Sequence, residues 1–349
     1  MKLSTLLLSS AALVVAGSAF AADLPAKKGA PAAKAATGCA TFGAGFIQVP
    51  GTDNCLKIGG YMKYKATFNG QNTSATTAQI SQAGKLGLSL DARSNSDLGV
   101  IRGFSKIEGS SSLSVSDAYV QFGGLTAGKS TALTDIAGTN PDTFDSFLGG
   151  GGSDVGVIYS IPAGAATVEI GAFNAADNNV SSGVADLPDF QGRVKFSAGA
   201  VGLTVAGTTH QVESTAGTAT GYAFVGKASV TAGIATASIY GGTSKGALLY
   251  TGSNSLKDST TAAADLAVGS NFGGELLIAA GTGTLGLEAV QVTSTLTSSK
   301  TTVNSYGVSY VYPLAKGLSV EPELLSTTTQ TTSDTSTAQT VYLRITRDF

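Results

Sequence analysis

Residues 340–349, TVYLRITRDF, sort into two sets by position. Val341, Leu343, Ile345, Arg347 and Phe349 fall on one parity, and Tyr342, Arg344, Thr346 and Asp348 on the other. Successive side chains of an extended chain point to opposite faces, so the segment reads as a strand with one mainly apolar and one polar face, ending on an aromatic ring.

The pattern repeats far upstream. In 57–68, Lys57, Tyr61, Lys63, Lys65 and Thr67 oppose Ile58, Met62, Tyr64, Ala66 and Phe68. In 79–93, Lys85, Ser89, Asp91 and Arg93 oppose Leu86, Leu88, Leu90 and Ala92. Gln191, Arg193 and Lys195 oppose Phe190, Val194 and Phe196, and Glu321 and Glu323 oppose Val320, Pro322 and Leu324. Segments bounded by Gly, Asn, Asp, Ser or Pro number about sixteen, an even count of the kind that bacterial membrane barrels use. A soluble sandwich would turn the apolar face inward and a membrane barrel would turn it outward. Repetition from residue 57 to the last residue, with no helical segment, favours the barrel. The fold expected is therefore all-β, a transmembrane antiparallel β-barrel of about sixteen strands.

Composition agrees with that choice. Charged residues are 13% of the chain, against the ~25% of an ordinary soluble domain, yet hydrophobic residues reach only 42% and Gly alone numbers 46. No apolar run after residue 22 is long enough for a spanning helix, so a membrane crossing would have to use strands. Met1–Lys2, the apolar stretch 3–17 and Ala19-Phe20-Ala21 describe a secretory signal peptide over 1–21, with the mature chain starting near Ala22. Without Lys2 the balance is 20 Lys+Arg to 23 Asp+Glu, nearly neutral, which gives no electrostatic footprint for nucleic acid.

Residues 22–37 form an Ala/Pro/Lys leader with too little apolar bulk to fold alone. An element at 38–56 follows, with Cys39 and Cys55 near its ends. An even pair of cysteines in an exported chain is most simply a disulfide, and His210, the one histidine, is too far along the sequence to complete a local metal site. The barrel proper is assigned to 57–349. Its longest early interruption, about 130–153, has the length of a functional loop.

Two motifs have ordinary readings. GGLTAGKS at 123–130 fits the phosphate-loop spelling, but no helical periodicity follows it, so a strand–turn–strand is expected. His210 shares parity with Thr204 and Thr208 and has no nucleophile motif around it, so it reads as a solvated lumen or loop side chain.

The cations are less ordinary. Lys63, Lys65, Lys85 and Arg93 lie on the polar parity of the first two strands, and Arg102 and Lys106 share parity with Glu108 on the third. With strands ~4.8 Å apart, the six could form one basic wall inside a barrel.

Several segments together resemble the alphaproteobacterial porin family. They are the leader AADLPAKKGAPAA, GAGFIQVPGTDNCLKIGGYMKY at 43–64, LGVIRGF at 98–104, SDAYVQFGGLTAGKS at 116–130, PLAKGLSVEPELL at 313–325 and RITRDF at 344–349. The chain departs from the usual porin in having no Trp and only 7% aromatics. The resemblance implies an outer-membrane, water-filled diffusion channel for ions and small hydrophilic solutes, surrounded by lipid and assembled as a homotrimer. It also implies that the 130–153 loop folds inward to constrict the pore, setting Asp135, Asp142 and Asp145 against the basic wall, and that the barrel-assembly machinery reads Phe349. Such a channel is not an enzyme and calls for no cofactor. Two rivals are a secreted Gly/Ser/Thr-rich β-solenoid or surface adhesin, which should show a fixed repeat, and an outer-membrane barrel enzyme, which should show a catalytic constellation.

Overall fold

A computed structural model of the chain describes residues 39–70, 80–136, 150, 152–174, 187–214, 217–252, 266–296 and 299–349. The expected signal peptide and the leader lie outside the described residues. Cys39 and Cys55 are joined in a disulfide. Between them run a single 3-10 turn, Cys39–Phe42, and a two-residue strand β1 (Ile47–Gln48), which pairs with Leu56 and Cys55.

The barrel strands follow in chain order. They are β2 (Cys55–Gly70), β3 (Ile80–Ser96), β4 (Gly99–Gly109), β5 (Leu113–Phe122), β6 (Leu125–Thr131), β7 (Ser153–Ala163), β8 (Ala166–Phe173) and β9 (Asp189–Ala198). The second half comprises β10 (Val201–Ser214), β11 (Gly217–Ala232), β12 (Ala235–Lys245), β13 (Val268–Ala280), β14 (Gly283–Leu296), β15 (Ser299–Ala315), β16 (Leu318–Gln330) and β17 (Thr335–Asp348). Each pairs antiparallel with the next, and β17 returns to β2 in a ladder from Gln339↔Gly70 to Asp348↔Tyr61. The result is a closed barrel of sixteen strands, β2–β17. Closure removes the edges that an open sheet would expose.

One end of the barrel is made of two-residue turns, such as 164–165 and 233–234. Gly164 and Gly233 open these turns at φ 63° and 58°, the left-handed conformation that tight hairpins need and a Cβ would strain. The terminal Phe349 and the disulfide element lie at this same end, because β17 finishes where β2 begins. The longer connections lie at the other end.

The alternation read from the sequence becomes an inside-out sheet. Phe272 is 67% exposed on the outer face, while Asn271, its neighbour on β13, is buried. Met62, Phe190, Ile239 and Leu324 also point outward, and Arg344, Glu323 and Ser305 point inward and are buried. Among the described residues no helix is long and apolar enough to cross a membrane. The spelling GGLTAGKS falls on the β5–β6 turn and β6, and Lys129 donates to the Val115 carbonyl at 2.8 Å. It is a hairpin, not a phosphate cradle.

Candidate functional site

The lumen is the concave surface of this chain, and its charges are distributed by strand register. On β3 and β4, Arg93 lies directly opposite Arg102. Two like charges so placed repel. Asp91, two positions before Arg93 and on the same face, resolves this. It accepts from Arg93 Nε and Nη2 at 3.0 and 2.8 Å and from Arg102 Nε and Nη2 at 3.0 and 3.0 Å, a double bidentate clasp. Phe46 of the stapled element lies 4.9 Å from the Arg93 guanidinium, and Phe104 lies 4.9 Å from that of Arg102.

Further from the short-turn end, four residues along β4 from the position facing Asp91, Glu108 gathers a second set. Lys106 Nζ lies 2.8 Å and Lys85 Nζ 3.7 Å from its carboxylate, and the Tyr61 hydroxyl donates to it at 2.6 Å. Lys63 and Lys65 share the lumen parity of β2, their ammonium groups 5.1 Å from the Tyr61 ring and 5.5 Å from the Tyr342 ring. The structure therefore brings the six sequence-nominated cations onto three neighbouring strands. It also adds a feature that counting cations does not reveal: Asp91 and Glu108 are interleaved among them as organising acceptors.

The chain turns inward after β6. Leu133 is fully buried against Ile158 and Phe173, which are lumen-facing residues of β7 and β8. Its amide donates to Gln191 Oε1 at 2.7 Å, and its carbonyl accepts from Arg193 at 3.3 Å. Arg193 is fixed in turn by Glu169 at 2.6 Å, with Lys195 at 3.1 Å from the same carboxylate. Thr134 donates to the Gly150 carbonyl at 2.8 Å, tying the departing and returning limbs of the connection together. Asp135 follows, half-buried. Asp142 and Asp145 lie outside the described residues.

A second inward segment was not anticipated from the sequence. After β12, a 3-10 turn at Leu248–Thr251 packs against the lumen face, with Ala223, Ala247 and Tyr250 in one buried cluster. Tyr250 donates its hydroxyl to Asp189 on β9, and the same carboxylate lies 3.0 Å from His210 Nδ1 on β10. Burial, reinforced by the Asp189 charge, pushes the Tyr250 hydroxyl well above the ordinary phenol range. His210 does face the lumen as its parity required, but it is buried to 3% exposure, so the solvated reading is corrected. The Gly150 amide points to the Leu249 carbonyl at 3.4 Å, so the two inward segments touch.

A family model described as a porin subfamily matches residues 27–346. The chain belongs to this porin subfamily. Its curated relatives include Porin Omp2b of Brucella suis biovar 1, 29% identical over 164 residues, which is 42% of this chain and 43% of that protein. The porin thus spans less than half the length of the curated relatives it matches. Among solved structures it is similar to the outer membrane channel DcaP of Acinetobacter baumannii, with a TM-score of 0.75 at 14% identity over 85% of this chain and 97% of the other. It is also similar to an anion-selective porin from Comamonas acidovorans, with a TM-score of 0.65 at 13% identity over 85% and 100% of the two chains. At such identities the structural likeness is one of fold. Family, barrel and inside-out surface together make this an outer-membrane protein.

Proposed function

We propose that this porin is a passive, water-filled channel for ions and small hydrophilic solutes, working by size and charge with no chemical step and no cofactor. The observation that carries the reading is the lumen wall of β2–β4 in a closed barrel, where Lys85, Arg93, Arg102 and Lys106 hold Asp91 and Glu108, and Lys63 and Lys65 lie on the same face against Tyr61 and Tyr342. Fixed charges lining a narrow aqueous path set which ions enter and how polar solutes are oriented. Six cations against two carboxylates bias this wall toward anions. The loop after β6 supplies the opposing sign through Asp135, Asp142 and Asp145.

Reversal potentials across a salt gradient in planar bilayers test the reading. Neutralising Lys63, Lys85, Arg93 and Arg102 together should shift selectivity toward cations, and neutralising Asp135, Asp142 and Asp145 should shift it toward anions. Both shifts should shrink at 1 M salt, where the Debye length is about 3 Å. Wild-type ratios in both variants at low salt would defeat the assignment.

The functional unit in this reading is a homotrimer in outer-membrane lipid, supported by family membership; it should appear as a heat-sensitive oligomer in detergent gels. Phe349 acts as the signal for the barrel-assembly machinery. Its backbone exchanges hydrogen bonds with Gly60 at 3.0 and 3.1 Å, and its ring is exposed. Deleting Phe349 should reduce assembled barrel in the membrane, and unchanged yield and heat-modifiability would count against that role.

A further inference from the structure

The inward turn Leu248–Thr251 sits in a socket built by the strands around it. Gly269, on the lumen face of β13, lies beneath the turn, and a Cβ there would come within 2.5 Å of Thr251 Oγ1 and 2.8 Å of the Leu248 side chain. Close approach of other atoms is a usual reason for glycine inside a strand. The Ser244 and Thr251 hydroxyls share a hydrogen bond at 2.7 Å, and the Gly246 amide donates to the Ala267 carbonyl at 2.7 Å. Ala223, Ala247 and Tyr250 close the contact, all nearly fully buried. The turn is a fixed part of the lumen surface.

Two routes lead from it to the limbs of the connection after β6. The first runs through the backbone. The Leu249 carbonyl accepts from the Gly150 amide at 3.4 Å, and the Gly150 carbonyl accepts from the Thr134 hydroxyl at 2.8 Å. Gly150 is buried and pressed on Asp135, where a Cβ would lie 2.7 Å from the Asp135 Cα. The second route runs through side chains. The Tyr250 hydroxyl donates to Asp189 and also hydrogen-bonds the Gln191 side chain, whose Oε1 accepts from the Leu133 amide at 2.7 Å. Leu133 and Asp135 are therefore braced from the β11–β13 side of the lumen as well as from β7–β9.

We propose that Leu248–Thr251 is a buttress for residues 132–135 and 150, with Tyr250 as a positioning residue that fixes the place of Asp135 and thereby tunes ion preference without itself carrying charge. The pull of a fixed charge on a passing ion falls with distance, so a carboxylate spread over several positions holds cations less well. The effect on ion preference rests on the channel reading above; the buttressing does not.

Two uncharged substitutions test it. Tyr250→Phe keeps the ring and removes the hydroxyl, and Thr134→Val removes the hydroxyl that holds Gly150. In planar bilayers at ~0.01 M salt, each should shift the reversal potential toward anions, although neither alters a charge. In a chain whose Asp135, Asp142 and Asp145 are all replaced by Asn, the same substitutions should produce no further shift. Equal shifts in both backgrounds would overturn the proposal, because the loop carboxylates would then not be the route. Hydrogen exchange of the full-length protein in detergent follows the buttress itself. Peptides covering 132–135 should exchange faster in Tyr250→Phe than in the parent, and those from β2–β4 should not change. Unchanged exchange at 132–135 in a heat-modifiable Tyr250→Phe barrel would also overturn it. Faster exchange there, with equal reversal potentials for the parent and the triple-Asn chain, would remove the charge reading and leave the buttress standing. If Tyr250→Phe gives no heat-modifiable barrel, Thr134→Val carries both measurements with the same expected results.

Discussion

The wall built by β2–β4 and the wall built by β8–β10 obey the same alternation and carry the same kinds of side chain, yet they hold their charges differently. On the first wall, Lys85 and Lys106 keep 43% and 36% of their side-chain surface open to the lumen. On the second, Asp189 and His210 are buried and bonded to an inward segment. The difference comes from what lies over each wall, since Leu133 packs on β7–β9 and Tyr250, from a turn seated on β11–β13, reaches across to Asp189 on the second. On the first, Arg93 and Arg102 are clasped by Asp91 while Lys85 and Lys106 stay partly open to the lumen. On the second, Arg193 and Asp189 hold the two inward segments, and Lys195 alone stays as open as the lysines of the first.

The largest effect should follow from Asp189→Ala. It removes the acceptor shared by Tyr250 and His210, and each buried polar group left unsatisfied costs roughly 1–3 kcal/mol. The temperature at which the barrel loses its heat-modifiable form in detergent should fall clearly, and no change would mean that the second wall is not held by this carboxylate.

Next in size is the pair Arg93→Gln and Arg102→Gln, which strips both cations from Asp91. Chloride preference should drop severalfold at ~0.01 M salt, where the Debye length is about 30 Å, and recover toward the parent value at 1 M. Arg193→Gln, on the covered wall, should change selectivity far less and loosen the Leu133 contact instead. Equal selectivity shifts from the two walls would break the contrast drawn between them.

Smaller still is Gln191→Leu, which preserves bulk and orphans the Leu133 amide at a local cost of ~1–3 kcal/mol. The inward connection after β6 should become more sensitive to added protease while the barrel transition stays close to the parent's. The smallest is Lys85→Ala. Its 3.7 Å contact with Glu108 is solvent-exposed, and such pairs contribute about 0–1 kcal/mol, so stability should be unchanged within error.

The first wall was legible in the sequence because a period of two is imposed by the backbone itself. Lys63, Lys65, Lys85 and Arg93 needed only their parity, and Arg102 and Lys106 only the two-residue turn that sets β4 against β3. The clasp at Asp91 depends on the register that puts Arg93 opposite Arg102, which spacing within one strand does not contain. The second wall was hidden for a different reason. Asp189 and Tyr250 meet across 61 positions of sequence, and Tyr250 immediately precedes the stretch 251–283 where Gly and Ser blur the strand pattern. Parity did place His210 on the lumen face, but burial there depends on a non-repeating segment folding over it, and alternation carries no information about such a segment.

The seam between β17 and β2 bears on how the molecule is made. Thr340 and Asn69, partners across that seam, are 271 positions apart, whereas every other neighbouring pair among β2–β17 is consecutive in the chain. Hairpins can therefore form one after another by local collisions, but the ring closes in a single long-range step whose loop-closure entropy is paid late. Until then β2 and the most recently added strand both offer bare backbone to any passing chain. Before closure this chain is a sticky ribbon, and it becomes inert only when β17 seats on β2.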